Sequence, residues 1–319
     1  MINLAPGIRV LSDDSFIQDG WAPTDDLLML ACTVGDNYDE QNNEVVLLTS
    51  DDVLRFGFVG EALVSIDGEP DGLAYAVGEE GTVISFPWRG VASERELKDS
   101  INLVENDEAV EIGPIRRIRV IAGAPLCVGS FGQVYQALPG GFDRLPFLEI
   151  YDDAVTIKDI AGTSPADLVA VTQHGVAARF TGERWIDLGL PTNRALSGIM
   201  RLPNGGYAIV GSGGNLFLGR DDQWAHHQVH DTSRDYYGVA EHGGLLYLAH
   251  LGGIDAFDGN DFAELTYDDK AGLEFAFLRN GISCSWSFSG STIGRIADRH
   301  WTTLLRRPAI ARNAVHGAG

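Results

Sequence analysis

The sequence predicts an all-β protein, a seven-bladed β-propeller of four-stranded antiparallel blades. The main observation is a repeat, since two short apolar runs around a polar or glycine-rich turn recur along the whole chain. By subtraction these turns lie 37 to 51 residues apart, at Asn43, Gly81, Gly132, Gly175, Gly214, Gly253 and Gly290. Units of about 40 residues with four short strands each are typical of propeller blades.

Residues 197–229 show how one blade is built. Residues 197–202 form a first apolar run, which ends at a Pro-Asn-Gly-Gly turn. Two further apolar runs, 207–210 and 216–218, flank a Ser-Gly-Gly turn, and a polar turn then leads to Trp224. Four β-prone runs joined by tight turns predict an antiparallel meander. One such sheet cannot bury both its faces, so it needs a neighbouring blade on each side.

A bulky residue about ten positions after each turn marks the fourth strand. It usually follows a polar turn, and only the second unit departs from the pattern, with Val91 at that offset. The residues in the other units are Val53, Phe142, Trp185, Trp224, Phe262 and Trp301. The agreement of spacing and turn chemistry over seven units favours a propeller over a β-sandwich or a β-helix.

The extra residues of unit two predict the main irregularity. After Trp88, residues 93–100 are predicted to form a short helix, with Ser93 as N-cap and Glu96 as its capping-box partner. Residues 101–104 follow as the outer strand and residues 105–108 as a loop. We expect almost no helix elsewhere.

The two ends of the chain are predicted to differ in role. Residues 8–11, within the segment 1–14, are strand-like and are expected to close the ring by pairing with a blade, which would remove an open sheet edge. Residues 306–319 have little periodicity and are expected to form a terminal tail. Residues 1–319 are therefore expected to form a single propeller domain.

The repeated turns resemble those of a known superfamily. The pattern A-V-G-x-x-G-x-[IVL], with a tryptophan ten residues later, resembles the blades of photosystem assembly-factor and BNR-like propellers in the sialidase-like superfamily. Sialidases also carry Asp boxes of the form S-x-D-x-G-x-x-W and an F-R-I-P motif. Here the equivalent turns read RDDQW, TGERW and DGNDF, and F-R-I-P is absent. The resemblance therefore implies a fold and no sialidase site.

Composition predicts a soluble cytoplasmic protein. No apolar run of 18 residues occurs, and residues 1–14 lack the basic and apolar segments of a signal peptide. Cys32, Cys127 and Cys284 are odd in number, which argues against a disulfide framework. We expect small buried thiols in a reducing compartment. The chain is expected to be a monomer on its own.

Charge indicates the kind of partner. The chain has 45 acidic and 23 basic residues, a net charge of −22. Residues 1–160 hold 29 acidic and 10 basic residues (net −19), whereas residues 161–319 hold 16 and 13 (net −3). Such a surface excludes nucleic acid and acidic membranes as natural partners, because both are bound through lysine and arginine. A basic protein is the expected partner.

The expected partner-binding site lies on one face of the disc. In a propeller, the turns between second and third strands share a face with the blade-to-blade loops. Carboxylates there would steer a basic partner, and aromatic side chains would anchor it. The predicted site residues are Asp36, Tyr38, Asp39, Glu40, Glu79, Glu80, Asp107, Glu108 and Phe131.

No cofactor, metal ligand or catalytic residue is predicted. Residues 35–43 are rich in carboxylates and amides, yet they lack calcium-loop spacing, so a solvated hairpin is the preferred interpretation. The Gly-Ser-Gly-Gly string at 211–214 precedes a strand rather than a helix, which argues against a phosphate loop. His226 and His230 are about 13 Å apart along a strand and are expected to be surface residues.

Two functional classes remain open. In the first, the propeller is a non-enzymatic scaffold that presents an acidic face to a basic protein, as an assembly factor or as an immunity protein that neutralises a toxin. In the second, it is a glycan-active hydrolase or lyase that uses carboxylates in the central pocket. Propellers support both kinds of function. The missing sialidase motifs and the uneven charge favour the scaffold.

Overall fold

A computed structural model describes residues 2, 10–11, 15–34, 42–70, 72–149, 155–269 and 277–306. Its strands form seven sheets, each built from consecutive strands, and the sheets are the seven predicted blades of a β-propeller. All pairs within the four-stranded blades are antiparallel. The fold class predicted from the repeat is confirmed.

The first four blades occupy residues 15–187. Their strands, four to each blade, are β1 (Ser15–Thr24), β2 (Leu27–Val34), β3 (Asn42–Leu48), β4 (Val53–Val59), β5 (Leu63–Gly68), β6 (Leu73–Gly78), β7 (Val83–Pro87), β8 (Asn102–Val104), β9 (Ile115–Ile121), β10 (Ala124–Gly129), β11 (Val134–Leu138), β12 (Gly141–Arg144), β13 (Ile157–Ser164), β14 (Asp167–Thr172), β15 (Ala177–Phe180) and β16 (Trp185–Asp187).

The last three blades occupy residues 196–306. Their strands are β17 (Leu196–Arg201), β18 (Tyr207–Gly211), β19 (Asn215–Arg220), β20 (Gln223–Gln228), β21 (Tyr236–His242), β22 (Leu245–His250), β23 (Gly253–Phe257), β24 (Phe262–Glu264), β25 (Thr266–Tyr267), β26 (Phe277–Asn280), β27 (Ser285–Ser289), β28 (Thr292–Ala297) and β29 (His300–Arg306). The short β25 adds a parallel fifth strand to the outer edge of blade seven.

The first strand of each blade lies innermost, around the axis. Each of these strands contacts the first strand of the next blade, and β26 of blade seven contacts β1 of blade one. Because neighbouring strands are antiparallel, successive connections alternate between two faces. We call the face with the second-to-third-strand turns and the blade-to-blade connectors the connector face. The face with the first-to-second and third-to-fourth turns is the hairpin face.

The core lies between the blades. Each blade packs on a neighbour at both of its faces, so its middle strands are buried on both sides. All residues are buried in β10, β18, β23 and β27, and all but the first are buried in β22. The last blade is joined to the first in the same way. Phe288 of β27 packs so closely on Gly20 of β1 that a Cβ there would lie 2.4 Å from its ring. Glycine is thus required for that contact.

The helical insertion of blade two is confirmed in part. Helix α1 (Glu94–Asp99) has Ser93 as N-cap, whose Oγ accepts from the backbone N–H of Glu96 at 3.2 Å. The Glu96 carboxylate accepts from the Ala92 N–H at 2.9 Å instead of completing a capping box with Ser93. The predicted outer strand is β8.

The prediction of almost no other helix, with residues 105–108 as a loop, is wrong. Helix α2 (Asp107–Ile112) links blades two and three, because Asn106 caps it by accepting from the Ala109 N–H at 3.2 Å. A 3₁₀ turn (Ser130–Gly132) also lies between β10 and β11.

Blade seven is completed by its own strands. The predicted closing strand was residues 8–11, of which 8–9 lie outside the described residues. Val10 and Leu11 do not belong to a strand, but they are buried in the apolar cluster that blades one and seven share. Closure through residues 1–14 therefore stays a prediction. The predicted tail lies outside the described residues beyond Arg306.

Candidate functional site

The predicted acidic turn of blade two lies on the connector face, between two connectors. Glu79 accepts through its carbonyl from the Ile115 N–H at 2.7 Å, which joins the turn to blade three. Glu61, in the connector before blade two, accepts from the N–H groups of Glu80 and Thr82. Burial raises the pKa of Glu61 against the effect of these hydrogen bonds. The turn is thus fixed through its backbone, and the Glu80 side chain is exposed.

Helix α2 places two more predicted residues beside this turn. Gly81 packs directly on the helix, since a Cβ there would lie 2.8 Å from Ala109 Cβ. Asp107 and Glu108 occupy the first helical turn, where acidic side chains interact favourably with the helix dipole. Glu108 is also ion-paired with the exposed Arg144 of β12, so part of its charge is neutralised within the protein.

Phe131 is the exposed aromatic of this face. It lies in the 3₁₀ turn of blade three with φ 55° and ψ 28°, a left-handed conformation that is unusual for a bulky residue. Its side chain is 53% exposed, and its ring rests on the backbone of Gly113, just after α2. The turn therefore holds a large apolar side chain in solvent at some cost in backbone strain.

Five of the nine predicted site residues are described, and they lie on the connector face of blades two and three. They are Glu79, Glu80, Asp107, Glu108 and Phe131. The other four, Asp36, Tyr38, Asp39 and Glu40, lie outside the described residues, as does most of the turn considered for calcium.

Acidic residues are not confined to the connector face. On the hairpin face, exposed carboxylates occupy the third-to-fourth turns of several blades, including Asp51, Asp222 and Asp261. What distinguishes the connector face of blades two and three is the combination of carboxylates with an exposed aromatic side chain.

A second site lies on the axis and was not predicted from the sequence. Asp19 of β1 is completely buried and faces cations from two other blades. Its Oδ2 accepts from Arg279 Nη2 at 2.6 Å, from Ser65 Oγ at 2.7 Å and from Arg117 Nη1 at 3.4 Å. Burial alone would raise the pKa of Asp19, but Arg279, Arg117 and Arg119 lower it below its ordinary value. Asp19 is therefore an anion at neutral pH.

Asp159 of β13 occupies the corresponding position in blade four. Its carboxylate pairs with Arg119 Nη2 at 2.8 Å. Both aspartates also accept from the N–H of the next residue, Asp19 from Gly20 at 2.9 Å and Asp159 from Ile160 at 3.0 Å. Each follows a register shift in its strand. A β-bulge redirects the side chain that follows it, which brings both carboxylates to the axis.

The sequence contained a signal for these residues. Two first strands contain the same Ile-x-Asp pattern, which ends at Asp19 and at Asp159, and a third contains Arg-Arg-Ile-Arg at 116–119. Charged residues in the strands expected to be innermost point to an axial network. The partners across the ring could not be assigned, because they lie as much as 260 residues apart in the chain.

The described residues offer little metal-binding chemistry. They include no group of three His, Cys, Asp or Glu side chains placed to hold an ion. His226 stacks on Phe217 with ring centroids 4.5 Å apart, and His227 packs on Phe257 of the next blade at 4.8 Å. Neighbouring histidines thus point to different partners, as expected for a strand.

Among the described residues, none of the helices has the length and apolar character needed to span a membrane.

This architecture places the chain in the class of seven-bladed β-propellers. Solved structures with the same fold cover nearly the whole chain. The WD40 propeller domain of Doa1 is 12% identical over 90% of this chain and 93% of its own, with a TM-score of 0.64. YCF48 bound to D1 peptide is 14% identical over 90% and 96%, with a TM-score of 0.64.

Sqt1 from Saccharomyces cerevisiae is also similar. It is 12% identical over 94% of this chain and 86% of its own, with a TM-score of 0.63. No protein-family model and no curated protein matches the chain. At these identities the likeness shows the fold alone. None of these structures is described as a sialidase, so the BNR-like resemblance stays a prediction.

Proposed function

We propose that this chain is a non-enzymatic scaffold that binds a basic protein through the connector face of blades one to three. The observation that carries the proposal is Phe131, an exposed aromatic residue in a strained turn on the same face as Glu79, Glu80 and Asp107. Aromatic anchors surrounded by charge are common at protein interfaces. One structure of similar fold, YCF48, is a complex with a peptide. This likeness supports a binding role.

Charge and anchoring would have separate effects in this role. The carboxylates would steer a basic partner and raise its association rate, whereas Phe131 would slow its release. Neutralising a toxin or accompanying a basic subunit during assembly would both use such a face. The buried thiols and the lack of disulfides fit a reducing cytoplasm as the place of action.

The glycan-hydrolase alternative has weaker support. Such an enzyme needs a pair of carboxyl groups beside the substrate, one of them protonated at working pH. Asp19 and Asp159 are instead held by arginines as ion pairs, and Asp19 has a lowered pKa. Burial raises the pKa of Asp67, and its Oδ2 accepts from the Val120 N–H at 3.0 Å.

The test begins with a pull-down from native lysate and identification of the recovered protein by mass spectrometry. Its binding kinetics are then measured against the wild type and a variant with Glu79→Lys and Glu80→Lys. We expect the variant to slow association and to flatten its dependence on salt. A matched variant, Asp222→Lys with Asp261→Lys, changes the charge equally on the hairpin face and should have a smaller effect.

The anchor is tested separately. Phe131→Ala should speed dissociation by an amount worth about 1–3 kcal/mol if this side chain is a hot spot. Leu251→Ala is the control, because Leu251 is 70% exposed at the equivalent turn of blade six. If reversing Glu79 and Glu80 leaves affinity at low salt unchanged, the proposed acidic interface is wrong.

A further inference from the structure

A cavity of about 410 Å³ lies on the axis of the propeller. It is lined by the first strands of blades two to seven, and it extends to Ala122 in the first hairpin of blade three. It therefore opens towards the hairpin face, away from the proposed protein interface. Its size is within the range of about 300–1,000 Å³ typical of small-molecule sites.

The charge of this cavity is opposite to that of the whole protein. Although the chain carries a net charge of −22, four arginines line the cavity, with only two aspartates among the other lining residues. The arginines are Arg117, Arg119, Arg201 and Arg279, and the aspartates are Asp67 and Asp159. Even with Asp19 included, cations exceed carboxylates by one.

Among the buried arginines that line the cavity, Arg117 has the poorest pairing. Its nearest carboxylate, Asp19, lies 3.4 Å away and already accepts from Arg279 at 2.6 Å. The Arg117 side chain is only 10% exposed, and its Nε is buried without a hydrogen-bond partner. A guanidinium so buried normally has an anion of its own. Its stacking on the Phe277 ring, 5.0 Å from the centroid, compensates only in part.

Neighbouring groups add to the positive potential. Burial, followed by the charges of Arg116 and Arg117, lowers the pKa of the half-buried Lys158. Burial and the charge of Arg119 likewise lower the pKa of Arg117. Burial raises the pKa of Asp67, which weakens one of the two lining carboxylates as a counter-charge. Arg119 differs, because Asp159, Asp19 and Asp67 raise its pKa against the effect of burial, so the missing counter-charge is that of Arg117.

We propose that the axial cavity binds a small organic anion, with a carboxylate or phosphate group seated against Arg117 and Arg119. A planar guanidinium matches either group through paired N–H donors. The anion supplies the counter-charge that Arg117 lacks, and the walls of β17 and β21 contribute apolar contacts from Ile199 and Val239. This function is separate from partner binding, because the two sites open on opposite faces.

Calorimetric titration of the purified full chain tests the proposal, with citrate as the carboxylate probe and inorganic phosphate as the other, at ionic strength held constant with chloride. We expect saturable binding of at least one probe. Whichever binds identifies the group that the site recognises. If the wild type binds neither citrate nor phosphate saturably, the proposal is overturned.

The site is verified with matched variants. Arg117→Gln should abolish the binding, while Arg184→Gln, which removes an exposed arginine from the hairpin face outside the cavity, should preserve it. Arg117→Lys keeps the charge without the planar fork and should bind about tenfold more weakly. It serves as the test if Arg117→Gln does not fold. Equal loss in the Arg184 and Arg117 variants would contradict a site in the cavity.

Discussion

Arg279 Nη2 lies 2.6 Å from Asp19 Oδ2, which joins the last blade of the ring to the first. Arg279 also donates through Nε to the carbonyl of Gly20 at 3.1 Å. The carboxylate has no exposed surface and the guanidinium little, so water cannot replace either partner. Ring closure in this protein thus depends on a buried ion pair as well as on the packing of Phe288 against Gly20.

Breaking this pair should destabilise the protein strongly. Arg279→Gln leaves the buried Asp19 with its neutral hydrogen-bond donors and the longer ion pair with Arg117, and it is expected to lower the free energy of unfolding by about 3–5 kcal/mol. Urea unfolding measures the loss. Arg299→Gln is the control, because its ion pair with Asp258 is exposed and should contribute much less to stability. Equal losses in the two variants would contradict the role of the axial pair.

The lowered pKa of Asp19 predicts that the free energy of unfolding depends on pH in the acidic range. Its pKa in the folded protein lies below the ordinary value of 3.8, so its stabilising effect is present above that pH and is lost as the pH falls further. The difference in unfolding free energy between wild type and Asp19→Asn should therefore shrink below about pH 4. Urea titrations between pH 6 and 3 measure it. A difference that grows on acidification would show that folding raises the pKa of Asp19 instead of lowering it.

His250 should make the folding stability depend on pH in a higher range than Asp19 does. It is buried, its Nδ1 donates to the Leu251 carbonyl at 2.9 Å, and burial lowers its pKa despite the Asp255 carboxylate 3.7 Å away. The folded state thus keeps His250 neutral where the unfolded chain binds a proton. Stability is full above the ordinary pKa of 6.5 and falls as the pH drops through the folded value.

We therefore expect His250→Phe to flatten the decline in stability between about pH 7 and 5. Thermal unfolding at several pH values measures this slope. His300→Phe is a suitable control, because His300 is at the exposed surface beside Asp268. If His250→Phe keeps the wild-type slope, this histidine does not control stability in that range.

The cysteines should be unreactive in the folded protein. All three are buried reduced thiols. Burial raises the pKa of Cys127 and raises that of Cys284 to about 11, so thiolate is scarce at neutral pH. A thiol reagent such as Ellman's at pH 8 should label the native protein slowly and the guanidinium-unfolded protein with three equivalents at once. Rapid labelling of the native protein would contradict this burial.

The turn that holds Phe131 depends on one glycine. Gly132 has φ +69°, and a Cβ there would lie 2.1 Å from the Leu148 carbonyl oxygen. Gly132→Ala should cost more than the roughly 1–2 kcal/mol of left-handed strain alone, because it also displaces the connector to blade four. Gly140→Ala, with φ +94° and open space, isolates the strain. Comparable unfolding midpoints for the two variants would show that the close approach is unimportant.

Local patterns were sufficient for most of the fold. The apolar runs and turns predicted seven blades because strand pairing within a blade joins segments that are close in sequence. The Ser93 cap likewise predicted α1 from adjacent residues. Helix α2 was missed because its sequence signal is short. Asn106 resembles a loop residue as much as an N-cap, and the packing of Ala109 on Gly81, which favours the helix, is visible only in the structure.

The candidate sites divide in the same way. The turn positions of Glu79, Glu80 and Phe131 follow from the repeat, so the sequence by itself determined which face of the disc they share. Only the tertiary structure decided that Asp19, Arg117 and Arg279 meet on the axis. They come from three blades distant in the chain, and no local pattern fixes which charges become neighbours when the ring closes. Burial then decides their energetics, because a charge removed from water depends on the few partners that the fold places beside it.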